Sequence, residues 1–263
     1  VTQVLLDIDG RGVATLTLNR PNRHNAFDEH VITELSGLLA DVGANDDVRV
    51  VVLRAAGPSF CAGADLDWMK RMAAGYDEAA NLADAGALAA LLHRLDTLPQ
   101  PTIACVHGAA LGGGAGLVCC CDMAVAAADA VFGFSEVRLG LVPATIGPYA
   151  IRAIGRRAAR RWFLTGERFD AATAQRIGLV HEVVDAAALE GAVQRLVHAV
   201  LDSGPQAVRA AKTLIDEVAG RPIDAELRDM TSRRIAALRA SPEGREGLAA
   251  FLERRAPAWK KHV

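Results

Sequence analysis

Two glycine- and alanine-rich turns and one carboxylate carry the chemistry this sequence can do. Ser59-Phe60-Cys61-Ala62-Gly63-Ala64-Asp65-Leu66 and Leu111-Gly112-Gly113-Gly114-Ala115-Gly116 each follow a hydrophobic run. Turns of this composition can aim bare backbone N–H groups at a ligand, with no side chain in the way. Two such donors are what the oxygen of a developing thioester enolate requires. The second turn opens an apolar stretch that reads as a helix, whose first amides and dipole favour negative charge. The backbone N–H groups of Ala64 and Gly113 are therefore the expected donor pair. Glu136 follows in Phe132-Gly133-Phe134-Ser135-Glu136-Val137. Its apolar flanks predict a partly buried carboxyl with a raised pKa, able to accept and return a proton near neutrality.

Other readings of the same residues are weaker. A dinucleotide fingerprint needs G-x-G-x-x-G at a first βα turn, and a phosphate loop needs Gly-Lys-Ser/Thr; the triple glycine has neither spacing nor position for them. Taken alone, it could equally mark close packing of a helix on a strand. Asp65 either caps the helix after the first turn or receives a ligand amine. Asp122 reads as a residue that holds a strand start, and His107 as a packing residue. Trp68, Met69 and Met72 line an acyl pocket or pack. No Ser-His-Asp arrangement stands out.

These groups need a scaffold. At 263 residues and 51% hydrophobic, the chain can bury a full core. Val4–Asp9 and Val13–Asn19 flank Asp9-Gly10-Arg11-Gly12 and predict a hairpin. Asp28 predicts the cap of a helix to about Val42. Strands are expected over Val48–Arg54, Thr102–Val106, Asp122–Ala126 and Val131–Phe134, and helices over Ala79–Leu98 and Ala115–Cys121. Polar, glycine-broken Trp68–Asp77 is expected to be mobile. Beyond Gly147 the periodicity predicts helices at Pro148–Ile154, Ala158–Leu164, Ala171–Ile177, Ala186–Leu201, Pro205–Val218, Ile223–Leu238 and Pro242–Arg255, with a short extended piece at Val180–Val184. The result is an α/β chain, its ββα order suggesting stacked turns of sheet more than a doubly wound sheet.

Composition excludes several partners. The formal net charge of −2 gives no basic footprint for nucleic acid. Arg156-Arg157 and Arg160-Arg161 read as a solvated or intersubunit helix face. No apolar run reaches membrane-spanning length and no signal peptide is visible, so a cytoplasmic protein is expected. Cys61, Cys105, Cys119, Cys120 and Cys121 sit among apolar residues and read as small buried hydrophobes in a reducing compartment, and a zinc spacing is absent. No metal is expected.

At these residues the chain resembles the crotonase superfamily, the enoyl-CoA hydratase/isomerase fold. The likeness spans nearly the whole chain. It runs through Asn19-Arg20-Pro21 with Asn25-Ala26-Phe27, both turns, Cys121-Asp122-Met123-Ala124, Phe132-Gly133 with Glu136, Gly140-Leu141-Val142-Pro143, Gly178-Leu179-Val180 and Phe251-Leu252-Glu253-Arg254-Arg255. The resemblance implies a spiral of ββα turns over residues 1–200 holding the CoA site, and a helical oligomerisation region over 201–263 that builds a homotrimer or a hexamer of two trimers. It implies an acyl-CoA substrate, with CoA part of that substrate and no separate cofactor. Ala64 and Gly113 then meet the thioester oxygen, Glu136 handles protons, and Arg23, Ala26, Ala62, Asp65 and Leu66 lie along the CoA. Arg254 matches a basic residue that reaches a neighbouring subunit's nucleotide.

The departures are as informative. Typical hydratases of this kind carry a first glutamate where this chain has Gly116, and dienoyl isomerases an acid where it has Ala144. The stretch Ala144-Thr145-Ile146-Gly147-Pro148-Tyr149 also replaces the usual glycine-rich one. Together with Ser135-Glu136-Val137-Arg138 and Ser241-Pro242-Glu243-Gly244, the pattern is most similar to bacterial methylglutaconyl-CoA hydratases of leucine and isovalerate breakdown. Three expectations follow: hydration of a 2-enoyl-CoA, Δ3-Δ2 enoyl-CoA isomerisation, which needs one carboxylate and no water, or acyl-CoA binding without turnover.

Overall fold

Apolar alternation pairs Val4–Ile8 (β1) with Val13–Leu18 (β2) as an antiparallel hairpin, Leu6 opposite Leu16. The computed structural model that shows this describes residues 2–75 and 77–260. Four further strands join the hairpin in parallel: Val50–Ala55 (β3), Thr102–Val106 (β4), Met123–Ala127 (β6) and Glu182–Val184 (β9), in the order β1-β2-β3-β4-β6-β9. β4 is buried at every position and β3 at all but Arg54, as expected for parallel strands covered on both faces.

A second ladder explains how the site is assembled. Ala109–Leu111 (β5) pairs in parallel with Val131–Gly133 (β7), and Arg168–Asp170 (β8) closes the other side antiparallel. Two single parallel rungs, Cys61 with Ala110 and Phe27 with Ala64, extend it. Each pass of the chain therefore adds a strand to the large sheet, a rung or strand to the small ladder, and then a helix. The passes are β2, Phe27 and α1 (Glu29–Ala44); β3, Cys61–Ala64, then α2 (Leu66–Gly75) and α3 (Glu78–Asp96); β4, β5 and α4 (Gly113–Cys120); and β6, β7 and α5 (Gly147–Thr165). This is the spiral of ββα turns. Consecutive passes lie side by side, so residues far apart in sequence become neighbours, such as Ile103 with Met123 and Val51 with Thr102.

Local chemistry sets the helix ends. Asp28 caps α1 through Oδ1, which accepts from the His30 and Val31 amides. Asp122 ties β4 to the next pass: Oδ2 accepts from the Thr102 amide at 2.7 Å and from Lys212 at 2.8 Å, a structural role as expected. His107 Nε2 lies 2.8 Å from the Gly57 carbonyl. The two helices expected across Pro148–Leu164 are the two arms of α5, separated at Gly155, whose φ 74° and ψ 157° are not helical. Ala171–Arg176 (α6), Leu189–Leu201 (α7), Pro205–Val218 (α8), Ala225–Ala240 (α9) and Pro242–Leu252 (α10) complete the chain. Residues 261–263 of the expected oligomerisation region lie outside the described residues. No helix among the described residues is long and apolar enough to cross a membrane.

The polar, glycine-broken segment Trp68–Asp77 has defined structure over most of its length. It folds as α2, with Trp68 buried at 8% exposure; Tyr76 within it lies outside the described residues. Its helix is fixed by tertiary contacts rather than by its own periodicity, as the site makes clear.

Candidate active site

The rung at Ala64 orients the first donor. Phe27 N–H donates to the Gly63 carbonyl and the Asp65 N–H donates to the Phe27 carbonyl, each at 2.7 Å. In a parallel bridge of this kind the flanking residues face the partner, so the N–H and C=O of Ala64 itself point the other way. Beside it the backbone runs close to the following pass: a Cβ on Gly63 would stand 3.2 Å from the Leu111 carbonyl oxygen. Gly113 is the first residue of α4; the first bond within that helix is Gly116 N–H to the Gly112 carbonyl. The Gly113 amide therefore precedes the helix's own ladder, one of the N-terminal donors every helix leaves open.

Close approach dictates the glycines here. A Cβ on Gly113 would stand 2.7 Å from Phe27 Cε2, and one on Gly114 would stand 2.7 Å from Cys61 Cβ. Both distances are shorter than real Cβ contacts, so α4 can press against the two preceding passes only if these positions carry no side chain. Cys61 is fully buried and its burial pushes the thiol up to about 12. It is a packing residue, held as a neutral thiol, and not a nucleophile.

Glu136 begins a single 3-10 turn, Glu136–Leu139, directly after β7. Its Oε1 lies 3.2 Å from where a Gly112 Cβ would be. Its Oε2 is buried without a hydrogen-bond partner in the protein. Burial raises the carboxyl above the ordinary glutamate range, and its own backbone N–H offsets this only in part. A buried carboxylate oxygen with nothing to accept from is costly unless a ligand or water supplies the proton.

Ala64, Gly113 and Glu136 line one cavity of about 370 Å³, together with Ala62 and Leu66. Its walls are otherwise mainly hydrocarbon, with Trp68, Met69 and Met72 on one side and Leu141, Val142 and Ile146 on another. Glu136 is the one ionisable side chain among the described residues that line it. The site thus brings together the backbone of Ala64 and Gly113, a carboxyl of raised pKa and an apolar chamber.

The remaining expected residues lie off this cavity. Asp65 caps α2: Oδ1 accepts from the Asp67 amide at 2.9 Å and the Trp68 amide at 3.2 Å, while Oδ2 pairs with Arg20 at 3.2 Å. Burial pulls its pKa up, but the Trp68 and Asp67 amides and the Arg20 and Arg23 charges outweigh burial and leave it lowered. Arg23 is exposed and pairs with Asp67 at 3.0 Å. Ala26 is buried, its carbonyl accepting from Arg20 at 2.7 Å. Arg254 is exposed beyond α10, in the left-handed region with φ 55°. Arg20 is a residue the motif reading quoted without a role. It binds Ala26, Asp28 and Asp65 at once and so locks the Phe27 rung to the Ala64 turn. Asp65→Ala removes both the cap and one of Arg20's two carboxylates. It is expected to lower stability by roughly 1–3 kcal/mol, read as a fall in the urea midpoint with unchanged slope.

Ile146 stands in the Ala144–Tyr149 stretch that the sequence sets apart, but its contact is not foreseen there. A Cβ on Gly116 would collide with Ile146 Cγ2 and stand 3.1 Å from its Cβ, with Leu92 Cδ2 at 3.6 Å. Hydrocarbon therefore fills the space beyond Gly116. The sequence sets both Gly116 and the stretch around Ile146 apart but not their contact, because they lie thirty residues apart, on α4 and at the start of α5.

Comparison with known proteins agrees with the fold. The family model for enoyl-CoA hydratase/isomerase matches residues 9–262. A crystal structure of an enoyl-CoA hydratase from Shewanella pealeana is 46% identical, covers 98% of this chain and 96% of its own, and superposes with a TM-score of 0.94. The crotonyl-CoA hydratase of Syntrophomonas wolfei is 33% identical over 246 residues, 92% of each chain. The (E)-benzylidenesuccinyl-CoA hydratase of Thauera aromatica is 35% identical over 258 residues, 94% of this chain and 95% of its own.

Proposed function

We propose an activity from one premise: the chain belongs to the enoyl-CoA hydratase/isomerase family. The activity is the addition of water to a 2-enoyl-CoA. The observation that carries it is the meeting of the Ala64 and Gly113 amides with the Glu136 carboxyl in one apolar cavity. Glu136 takes a proton from water as the water oxygen bonds to C3. Charge moves onto the thioester oxygen, where the two amides donate. Glu136 then returns its proton to C2, and the thioester carbonyl re-forms. One carboxyl thus handles both protons, which a pKa raised toward neutrality supports.

Isomerisation of a 3-enoyl to a 2-enoyl thioester is the second reading, and the packing of Ile146 on Gly116 favours it. Here Glu136 removes a proton from C2 and delivers it to C4, with the same two amides holding the dienolate oxygen. No water needs an anchor, and hydrocarbon opposite Glu136 is no handicap. Incubation with matched 2-enoyl and 3-enoyl thioesters separates the two. A product heavier by one water from the 2-enoyl thioester is the expected result; an isobaric product from the 3-enoyl thioester alone overturns hydration. Acyl-CoA binding with no turnover of either overturns both.

The sequence pattern around Glu136 and Ile146 supports methylglutaconyl-CoA, in leucine breakdown, as a substrate. The cavity lining supports an uncharged acyl group, since a carboxylate there meets Glu136 and no cation among the described lining residues. Crotonyl-CoA is the comparison that decides between them. We also propose assembly into trimers, paired or not into hexamers, through residues 201–263. Side chains such as Ile223, Phe251 and Leu252, each about 80% exposed, support it; Arg254, next to them, would reach a neighbour's CoA in such an assembly.

A further inference from the structure

Helix α2 has a cavity on each side. Trp68 and Met72 line the acyl cavity of about 370 Å³. The same two side chains line a second, outer cavity of about 250 Å³, whose other walls include Glu29, Arg71, Asn81 and Asp84. Trp68 and Met72 are therefore the partition between the two spaces.

The backbone of this partition is anchored. Asp65 caps its first turn. One turn on, an Arg71 guanidinium nitrogen reaches both Glu29 oxygens, at 2.7 and 2.8 Å, tying α2 to α1. Trp68 is buried, with a large ring that has few alternative positions. Met72 is only half-buried, and its unbranched side chain with three rotatable bonds can change rotamer without disturbing the helix.

We propose that Met72, backed by Trp68, sets the length of acyl chain the protein accepts; this rests on the acyl-CoA reading of the cavity. With Met72 in the partition, the inner cavity closes around a short chain. A longer chain turns Met72 aside and passes into the outer cavity. There the polar rim of Arg71, Asn81 and Asp84 ends the favourable burial of methylene groups and fixes an upper limit. Met72 is a specificity-determining residue, without a part in the proton transfers.

The test is binding of saturated acyl-CoAs, which reads the cavity without chemistry. Affinities of butanoyl-, octanoyl- and dodecanoyl-CoA are measured by calorimetry on the full-length wild type, Met72→Ala and Met72→Phe, each first shown to melt cooperatively. Met72→Ala is expected to raise the dodecanoyl-to-butanoyl affinity ratio by about tenfold, and Met72→Phe to lower it by a similar factor. A folded variant of either kind with the wild-type ratio overturns the proposal. Shifted ratios in a protein that turns over no enoyl thioester leave the partition standing and remove the proposed activity. A wild type that binds none of the three overturns the site reading and the partition together.

Discussion

Glu136→Gln is expected to lower turnover by roughly 10²–10⁴-fold while leaving affinity for a saturated acyl-CoA nearly unchanged. The substitution keeps the shape of the side chain and both amide donors, so substrate still enters and its thioester oxygen is still met. What it removes is the one group in the cavity that can hold a proton between the two steps. The same carboxyl shapes the pH dependence. Burial raises its pKa, and the first step needs the carboxylate. Turnover of the wild type therefore falls as pH drops through a value above the ordinary glutamate range, and this limb disappears in the Gln variant. Stability runs the other way. A carboxyl whose folded pKa is raised contributes stability that is complete below its unfolded pKa and is lost as pH rises through the folded value. At neutral pH the wild type thus bears a buried carboxylate with an unpartnered Oε2. Glu136→Gln is expected to melt higher than the wild type at pH 7, with the difference closing in acid. Full turnover in the variant, or an acid limb that persists in whatever turnover remains, would remove Glu136 from the chemistry.

Gain of stability with loss of turnover at one residue is the signature of a group kept for function. It also shows what the sequence could and could not reveal. Glu136 was legible because its neighbours are apolar within a few positions: Phe134 is fully buried and Val137 partly so. The two turns that line the cavity were legible as composition, since small residues let backbone approach a ligand. The long strands and helices followed from periodicity, and α8 begins and ends where Pro205 and Val218 predict. Of the small ladder only β7 followed, from Val131–Phe134. β5 and β8 are three residues each and the Phe27–Ala64 contact is a single rung, too short for any period to register. Yet that ladder carries the Phe27–Ala64 rung beside the cavity. Helix α2 was not legible for a related reason. Its polar Lys70 and Arg71 and terminal Gly75 weaken the pattern, whereas its fold depends on Asp65 and Glu29, which lie outside it. Local signals report local order; the convergence of groups from successive spiral passes is set by pairing between strands far apart in sequence.

Gly116→Glu is expected to destabilise the protein by about 3–5 kcal/mol, a fall in melting temperature on the order of 10 °C. The departure of this chain from two-carboxylate relatives is thus more than one substitution. Position 116 is fully buried on α4, and any Cβ there meets the Cβ and Cγ2 of Ile146, which is itself 1% exposed at the entry to α5. Overpacking of this kind costs about 1–3 kcal/mol even for a neutral side chain. A carboxylate adds its desolvation, with hydrocarbon from Ile146 and Leu92 around it. Gly116→Ala isolates the steric part. Alanine's better helix propensity works in its favour by up to about 1 kcal/mol, so net destabilisation of that variant means Ile146 cannot yield. Ile146→Ala removes Cγ2 and costs about 2–5 kcal/mol alone, by opening a cavity. In Gly116→Glu with Ile146→Ala the new side chain enters the space just vacated. The double variant is expected to be more stable than the sum of the singles predicts by at least about 1 kcal/mol. Simple additivity, or a Gly116→Glu protein as stable as the wild type, would show that the Gly116–Ile146 contact does not decide how many acids the site can hold. Coupling of the expected sign means that the glycine and the isoleucine act as one feature: a second acid is excluded by packing, and the proton traffic falls to Glu136 alone.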